Sequence, residues 1–410
     1  MISKLNQGGI KHMKKIKKEI KGITLVALVV TIIVLLILSG VAISLSIGED
    51  GIFKRAQDAS KIYENASQNE LIEIEKVSNY IDDYWNEKND DEEIEKSEIE
   101  IAINEGKVFE KNTIIYDKFK NAVKIPAGFK LSTDSGKTVL EGVVIEDVEA
   151  GDETSKGNQY VWVPVGEINN GSEKLEIKLG RYTYEYPTGN KILEQSADDY
   201  TNVITIDPSY QELSSSSYGN TVAYSLKDFI EKTKASGGYY IGRYEVGDEY
   251  ATEKRNSNSG IMGIPVIKKD KWPYTFVTQN EAAELAKSIY DSNNNFSSDL
   301  VNSYAYDTAI VFIQEVSEYK SYSQETALSS ELTTTGNAHD ETNNYDVKCN
   351  IYDLGGNTYE WSTETFTNKD NPYVVRGGDF FHESYFAGVR HSSAVISEDS
   401  YPAFRAILYL

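Results

Sequence analysis

The residues whose types could do chemistry are concentrated in one stretch near the C-terminus. This stretch lies between Arg376-Gly377-Gly378 and Phe404-Arg405, and it mixes charged, hydroxyl and aromatic side chains. Such a mixture on a loop with fixed borders is typical of binding surfaces, where aromatic side chains supply contact area and polar ones supply hydrogen bonds. The candidate ligand-binding residues are Asp379, His382, Glu383, Tyr385, Arg390, His391 and Ser392.

The alternative for this stretch is an ordinary surface loop between two core strands. Under either interpretation we expect Phe386 and Val389 to face the core, because they are apolar. We expect Arg376 and Arg405 to pair with buried carboxylates or carbonyls, since the planar guanidinium suits that geometry. Both interpretations of the loop stay open at this point.

A second candidate site is the turn within Asn350 to Trp361. Its Gly355-Gly356 pair allows backbone with positive φ. Asn357 and Glu360 could supply oxygen ligands to a cation, or they could hold the turn by hydrogen bonds without a metal. We expect Trp361 to belong to the core.

This chain has few residues that could carry out thiol or imidazole chemistry. Cys349 is the one cysteine, so no disulfide can form within the chain, and we expect it to be a small core residue. The four histidines, which include His12 and His339, are scattered along the sequence. They do not form a cluster in sequence that would predict an iron site.

The charge of the chain is strongly uneven. The formal charge is −23, and residues 1–22 contribute seven lysines and one glutamate, so the remainder carries −29. A surface of that sign repels nucleic acid, and we therefore expect no nucleic-acid partner. A length of 410 residues predicts two or three structural units.

Short β-branched and aromatic runs alternate with a few helical patterns after residue 112. This mixture without βαβ alternation predicts an α+β fold. Thr278 followed by Glu281 predicts a capping box at the start of one helix. The predicted strands are 113–116, 122–126, 143–145, 160–164 and 239–246, and the predicted helices are 226–235, 282–290 and 303–317. The turn residues near Lys120-Asn121 predict that the first two strands form a hairpin.

The C-terminal motifs resemble those of the sulfatase-modifying-factor, or formylglycine-generating-enzyme, family. The matching segments are Asn350 to Trp361, Val374 to Phe381 and Ala403 to Ala406, and the resemblance covers about residues 160–410. It implies a C-type-lectin-like fold. It also implies a calcium site at Asn357 and Glu360, which makes calcium the one candidate cofactor.

The same resemblance predicts that the chain is not an enzyme. The oxidases of that family need a pair of cysteines near the C-terminus. Aligned on Phe404-Arg405, this chain has Ala406 at the second position and Arg390-His391 at the first, so no thiol is present at either. The loop also resembles the variable region of lectin-fold proteins diversified by retroelements, which favours ligand binding.

The N-terminal stretch 22–47 has no charged side chain and follows a lysine-rich leader. As a helix it would be about 38 Å long, enough to cross a hydrocarbon core of about 30 Å. Lys21-Gly22-Ile23-Thr24-Leu25 resembles the processing site of type IV prepilins and pseudopilins. The resemblance implies cleavage after Gly22 by a prepilin peptidase and a mature chain that begins at Ile23.

Two features of this segment leave alternatives open. Met13 begins a second possible leader, and Ala27 stands where the pilin family has a glutamate. The missing glutamate argues against ordinary incorporation into a filament shaft, while a tip subunit, or a subunit that stays in the membrane, has less need of it. A simple signal anchor is the alternative to a processed pilin-like segment.

Together these observations predict a fold of class α+β with a long pilin-like helix and a lectin-fold head. The predicted boundaries are a leader at 1–22, a transmembrane and amphipathic stem at 23–85, an acidic linker at 86–111, a β-rich part of the head at 112–159 and the lectin-fold domain at 160–410. The predicted location is the cell membrane, through residues 23–47, with the head outside.

The predicted function is a minor or tip pilin-like subunit whose head binds an extracellular glycan or protein. Its further expected partners are a prepilin peptidase and other pilin-like subunits. The alternatives are a major structural subunit of a filament and a metal-dependent oxidase.

Overall fold

The computed structural model describes twelve parts of the chain: residues 32–34, 96–199, 210–212, 226–257, 261–290, 293, 295–326, 331–338, 345–366, 373–382, 385–393 and 402–410. The chain divides into two compact units, Met1–Glu93 and Ile94–Leu410. In the first unit the described residues 32–34 are helical, and about half of each side chain is exposed. All the strands that the structure describes belong to the second unit.

The prediction of a long N-terminal helix over 23–85 is wrong for the described residues. None of the helices in that part of the chain is both long and apolar enough to cross a membrane. The predicted membrane location, which depended on this helix, is wrong on the same finding. An apolar run of sufficient length indicates a candidate for a spanning helix, but composition alone does not establish that such a helix forms. Gly22, Ile23 and Ala27 lie outside the described residues, and processing after Gly22 stays a prediction.

The described part of the second unit contains four α-helices. They are α1 (Glu98–Glu105), α2 (Leu226–Ser236), α3 (Gln279–Ser288) and α4 (Ser303–Val316). The predicted capping box of α3 is confirmed, because the Thr278 Oγ1 accepts from the Glu281 N–H and the Glu281 carboxylate accepts from the Thr278 N–H. Helix α1 lies in the predicted linker, and its Ile99 is fully buried.

Strands make up most of the architecture. The described strands are β1 (Thr113–Tyr116), β2 (Ala122–Ile125), β3 (Phe129–Leu131), β4 (Val144–Asp147), β5 (Gln159–Pro164), β6 (Gly166–Asn169), β7 (Lys174–Ile177), β8 (Gly180–Tyr184), β9 (Lys191–Ser196), β10 (Tyr210–Glu212), β11 (Gly238–Gly242), β12 (Gly247–Asp248), β13 (Pro265–Val266), β14 (Trp272–Pro273), β15 (Ser297–Leu300), β16 (Val347–Lys348), β17 (Ile351–Tyr352), β18 (Glu360–Phe366), β19 (Tyr373–Arg376), β20 (Arg390–Ser393), β21 (Ala403–Phe404) and β22 (Ala406–Tyr409). The predicted hairpin of β1 and β2 is confirmed. The second unit is therefore mostly β-sheet with few helices, rather than an α+β fold with a long helix.

The largest sheet has the strand order β15-β22-β11-β5-β4-β3, and all its pairs are antiparallel. Tyr240 on β11 pairs with Trp162 on β5, and their ring centroids lie 5.0 Å apart in the core. Strands β3 and β4 come from the predicted range 112–159, β5 begins at its last residue, Gln159, and the other three strands come from 160–410. Both predicted parts of the head therefore contribute to one sheet.

Helix α4 is buried around nearly its whole circumference, as its apolar sequence requires. Asn302 caps its first turn by accepting from the Ala305 N–H at 2.9 Å. The Tyr239 hydroxyl of β11 donates to the Ala305 carbonyl at 2.5 Å, which joins the helix to the large sheet. The helix is thus a fixed support for Asp307, a fully buried acid in its second turn.

A second sheet contains β10, β18, β19 and β20 in that order, with β21 parallel to β18. Arg376 at the end of β19 pairs with Arg390 at the start of β20. The chain between these two residues is a loop closed by an antiparallel strand pair. This loop contains most of the candidate ligand-binding residues.

Candidate functional site

Two glycines hold the start of the loop against the turn that precedes β18. A Cβ on Gly377, where φ is +83°, would lie 2.6 Å from the Leu354 carbonyl oxygen. On Gly378 it would lie 2.1 Å from the Gly355 carbonyl oxygen. The Gly378 N–H donates to the Leu354 carbonyl at 3.1 Å. The R-G-G motif therefore marks a place where two backbone segments touch.

The end of the loop is fixed to a 3-10 turn at Tyr322–Gln324 and the residue after it. The Gly388 N–H donates to the Ser323 carbonyl at 2.8 Å, and the Ala387 N–H donates to the Glu325 carbonyl at 2.9 Å. Backbone hydrogen bonds thus anchor the loop at both ends. The residues between the anchors are positioned by the scaffold rather than by their own packing alone.

Asp379 closes a tight turn and orients His382. Its side chain is buried, and its Oδ1 accepts from the N–H groups of Phe381 at 3.1 Å and His382 at 2.6 Å. Its Oδ2 lies 2.6 Å from the His382 Nδ1. A carboxylate beside Nδ1 favours the imidazole form with a proton there and fixes the plane of the ring.

Five rings next to this turn form a continuous surface, which we call the aromatic patch: Tyr359, Phe381, His382, Tyr385 and His391. His382 and Tyr385 are stacked, with centroids 4.5 Å apart and an interplanar angle of 28°. The Tyr385 ring lies 5.1 Å from that of His391 and 6.0 Å from that of Tyr359. Phe381 packs its edge against His382 at 4.7 Å and is 71% exposed.

The surroundings of the aromatic patch shift the pKa values of two of its residues, His391 and Tyr385. Burial and the neighbouring His382 hold the pKa of His391 below its ordinary value of 6.5. Burial and the Asp379 carboxylate raise the pKa of Tyr385. At neutral pH the His391 ring is therefore uncharged and the Tyr385 hydroxyl keeps its proton. Both groups can then donate or accept hydrogen bonds to a ligand.

Arg390 lies inside the protein, in a buried Arg–carboxylate cluster of Arg181, Arg376, Arg390, Asp307 and Glu364. The Arg390 Nε donates to the Glu364 carboxylate at 2.8 Å, one Nη donates to Asp307, and the other Nη donates to the Tyr182 carbonyl at 3.0 Å. Arg376 donates to both carboxylates, and Arg181 donates to Glu364 at 2.9 Å. The cluster links β8, α4, β18, β19 and β20.

The charge state of Glu364 follows from these contacts. Burial alone would raise its pKa, but the guanidinium groups of Arg390, Arg376 and Arg181 hold it at about 2. The carboxylate therefore stays ionised at any physiological pH. The ion pairs of the cluster therefore have a structural role and hold together the strands beneath the loop.

The structure thus brings together four of the candidate binding residues and separates others. Asp379, His382, Tyr385 and His391 meet at the aromatic patch, whereas Arg390 belongs to the scaffold. Glu383 lies outside the described residues, and Ser392 pairs through its backbone with Val374. Phe386 and Val389, which we expected in the core, are partly exposed and line a cavity.

The two candidate cation ligands are engaged by protein donors. The Asn357 Oδ1 accepts from the Thr333 N–H at 2.9 Å, and the Glu360 carboxylate accepts from the Arg405 Nε at 2.9 Å. Within the described parts of the chain, no group of three or more His, Cys, Asp or Glu side chains could hold a metal ion. These contacts favour the turn held by hydrogen bonds over the cation site.

The backbone of this turn differs from the prediction. Positive φ falls on Asp353 (64°) and Asn357 (57°) rather than on Gly355. Gly355 is needed for space instead, because a Cβ there would lie 3.0 Å from the Glu325 carbonyl oxygen. Arg376 and Arg405 both pair with buried carboxylates as predicted.

Four carboxyl groups lie buried around the Arg405 guanidinium, and we call them the acid cluster: Glu245, Asp346, Asp353 and Glu360. Burial and the nearby Asp346 raise the pKa of Asp353 to about 8. Burial together with Asp353 and Glu360 raises the pKa of Glu245 well above its ordinary value. One guanidinium cannot balance four carboxylates, so the cluster retains protons at neutral pH.

Sequence reasoning missed two members of the aromatic patch, Phe381 and Tyr359. Phe381 was passed over because it is apolar, although its place between Asp379 and His382 is a signal that it belongs to the same turn. Tyr359 lies in the turn before β18, and only the tertiary fold brings it to Tyr385.

Comparisons with known proteins give weak structural similarity and no family. No family model matches the chain, and no curated protein matches it. The resemblances to type IV pilins and formylglycine-generating enzymes therefore have no support from a family match.

The solved structures to which the chain is weakly similar are a variable protein and a tropism determinant. Treponema denticola variable protein 1 is 11% identical with a TM-score of 0.32, over 62% of this chain and 97% of that one. The Major Tropism Determinant M1 variant is 9% identical with a TM-score of 0.25, over 74% of this chain and 82% of that one. Neither similarity is close enough to carry an argument about function.

Proposed function

We propose that the chain is a non-catalytic recognition protein that binds a glycan or a protein through the aromatic patch. The observation that carries this proposal is the combination of an exposed Phe381 with a row of rings in mutual contact, most of them on a loop anchored at both ends. Exposed aromatic rings grouped in this way are typical of binding surfaces. The buried Arg–carboxylate cluster and the two glycine contacts anchor the loop that carries most of the patch, and such preorganisation reduces the entropy lost on binding.

The absence of catalysis is part of the proposal. Ala406 is buried in β22, and the Arg390 guanidinium is engaged by the Arg–carboxylate cluster. Neither position offers the thiol that a formylglycine-generating mechanism requires. We expect the full chain, loaded with copper and incubated with a cysteine-containing peptide, to form no aldehyde product. Formation of formylglycine in that assay would overturn this part.

The binding proposal is tested with the purified full chain on glycan arrays and on arrays of immobilised proteins. The parent is compared with the double variant Phe381→Ala/Tyr385→Ala. We expect the variant to bind the same ligand at least about tenfold more weakly, since removing a central aromatic contact typically costs about 2 kcal/mol or more. The class of array that responds distinguishes a glycan from a protein.

A matched control keeps the test specific. Tyr250→Ala removes a tyrosine that is 68% exposed and lies outside the aromatic patch. We expect it to bind as the parent does. Equal binding by the parent and the double variant would contradict the proposal, and so would the absence of any bound ligand on both kinds of array.

A further inference from the structure

A cavity of about 420 Å³ opens between the β8–β9 hairpin, the Tyr322–Gln324 turn and the last residues before β20. We call it the Tyr184 pocket, and its walls include Arg181, Tyr184, Tyr186, Phe386, Val389 and Arg390. Its volume is in the range of small-molecule sites, about 300–1,000 Å³. None of these residues belongs to the aromatic patch, so the pocket is a separate feature.

The outer wall of the pocket is flat and apolar. The Tyr186 and Phe386 rings lie 5.8 Å apart with an interplanar angle of 33°. Tyr186 is 74% exposed, so most of its ring projects into solvent from the hairpin. Two aromatic rings at the mouth of a cavity suit a ligand that presents a flat apolar face to one of them.

The inner wall carries positive charge. Among the described residues, the Arg–carboxylate cluster behind it contains three guanidinium groups and two carboxylates, so guanidinium groups outnumber acids there. The Arg390 side chain is 11% exposed, whereas those of Asp307 and Glu364 are fully buried. The Arg390 side chain therefore reaches the wall of the cavity, and the acids that pair with it do not. The nearby Glu194, on the outer hairpin, accepts from the Thr183 hydroxyl at 2.7 Å.

We infer that the Tyr184 pocket binds a small ligand that carries a carboxylate on a ring with an apolar face. The carboxylate lies toward Arg390, because hydrogen bonds between charged groups are stronger than those between neutral ones. The ring lies against Tyr186 and Phe386. Aromatic acids and sugar acids share this chemistry, and the strongly acidic remainder of the molecule offers such a ligand few other favourable positions.

The test measures the affinity of the purified full chain for three probes by calorimetry: phenylacetate, its neutral analogue phenylacetamide, and glucuronate. We expect at least one of the two acids to bind about tenfold or more tightly than the amide, because a hydrogen bond to a charged group is worth about 1.5–3 kcal/mol. Binding of phenylacetate alone identifies an aromatic acid, and binding of glucuronate alone identifies a sugar acid.

Two variants locate the binding. Tyr186→Ala removes an exposed ring without disturbing the Arg–carboxylate cluster, and we expect it to weaken acid binding about fivefold or more. Tyr250→Ala, at a similarly exposed tyrosine elsewhere, should bind like the parent. Equal affinity for acid and amide, an unchanged Tyr186→Ala variant, or no binding of any probe at about 10 mM would each overturn the inference. None of these outcomes depends on whether the aromatic patch binds a ligand.

Discussion

Arg390 and His391 are neighbours in sequence, yet they have opposite roles. Successive side chains of a strand point to opposite faces, so β20 directs Arg390 to the buried Arg–carboxylate cluster and His391 to the aromatic patch. From sequence alone both were equally good binding residues. The difference depends on Asp307 and Glu364, which are distant in sequence and meet Arg390 only in the folded chain.

Arg390→Met should therefore destabilise the fold. Removing one partner of a buried ion pair leaves the other charge uncompensated, which costs about 3–5 kcal/mol. Urea unfolding of the full chain measures the loss. Lys156→Met, which removes an exposed ion pair with Glu153, is the control and should change the free energy of unfolding by less than about 0.5 kcal/mol. An Arg390→Met protein as stable as the parent would show that the cluster contributes no net stability.

His382→Gln should raise the pKa of His391. Burial is the main cause of the low pKa of His391, and the positive charge of His382 is the second. Removing that charge leaves only the burial, so the pKa should rise without reaching its ordinary value. A titration of the His391 imidazole by NMR measures the change. An unchanged or lower pKa would mean that the two rings do not interact in solution.

The elements were predictable where the signal is local. The α3 capping box and the β1–β2 hairpin each depend on a few adjacent residues, and both are confirmed. The sequence shows the R-G-G motif but does not show why glycine is required there. The reason is the contact of Gly378 with Gly355, which is distant in sequence. The cavity that makes Phe386 half-exposed likewise depends on a hairpin some two hundred residues earlier, which periodicity cannot reveal.

Gly378→Ala should disrupt the loop more than an ordinary glycine substitution does. Its new Cβ would lie 2.1 Å from the Gly355 carbonyl oxygen, so one of two anchored backbone segments must move. Gly237→Ala is the control, because its Cβ would meet no atom within 4 Å and would cost only the strain of φ +71°, about 1–2 kcal/mol. We expect the larger loss of stability for Gly378→Ala in urea unfolding. Equal losses would contradict the close approach.

For the whole molecule, the sequence predicts the sign of the net charge but not where the charged groups lie in the folded chain. The sequence shows 64 acidic residues against 41 basic ones, but not that four carboxyl groups are buried together around Arg405. The prediction of a long N-terminal helix, which is wrong for the described residues, was based on an apolar run, a lysine-rich leader and a short motif, and none of these local features fixes the length of a helix. In the C-terminal third, the predicted pairing of Arg376 and Arg405 with buried carboxylates is confirmed, whereas the predicted positive φ at Gly355 is wrong.

The acid cluster should make stability fall as pH rises. The pKa of Asp353 in the folded chain is about 8, above its ordinary value of 3.8, so between these values the folded state binds more protons than the unfolded state. Asn cannot ionise. The free energy of unfolding of Asp353→Asn should therefore increase relative to the parent from pH 5 to pH 9, by about 1 kcal/mol or more. Thermal unfolding across this range measures it, and a constant difference would show that Asp353 does not titrate between the two pH values.

The most direct test of the recognition function is the affinity of the Phe381→Ala/Tyr385→Ala variant for the ligand that the full chain binds on the arrays. The proposal predicts a loss of about tenfold or more with the urea unfolding transition unchanged, because the substitutions remove contact area outside the core. A variant that remains folded and binds as tightly as the parent would place the binding surface elsewhere on the molecule and contradict the proposal.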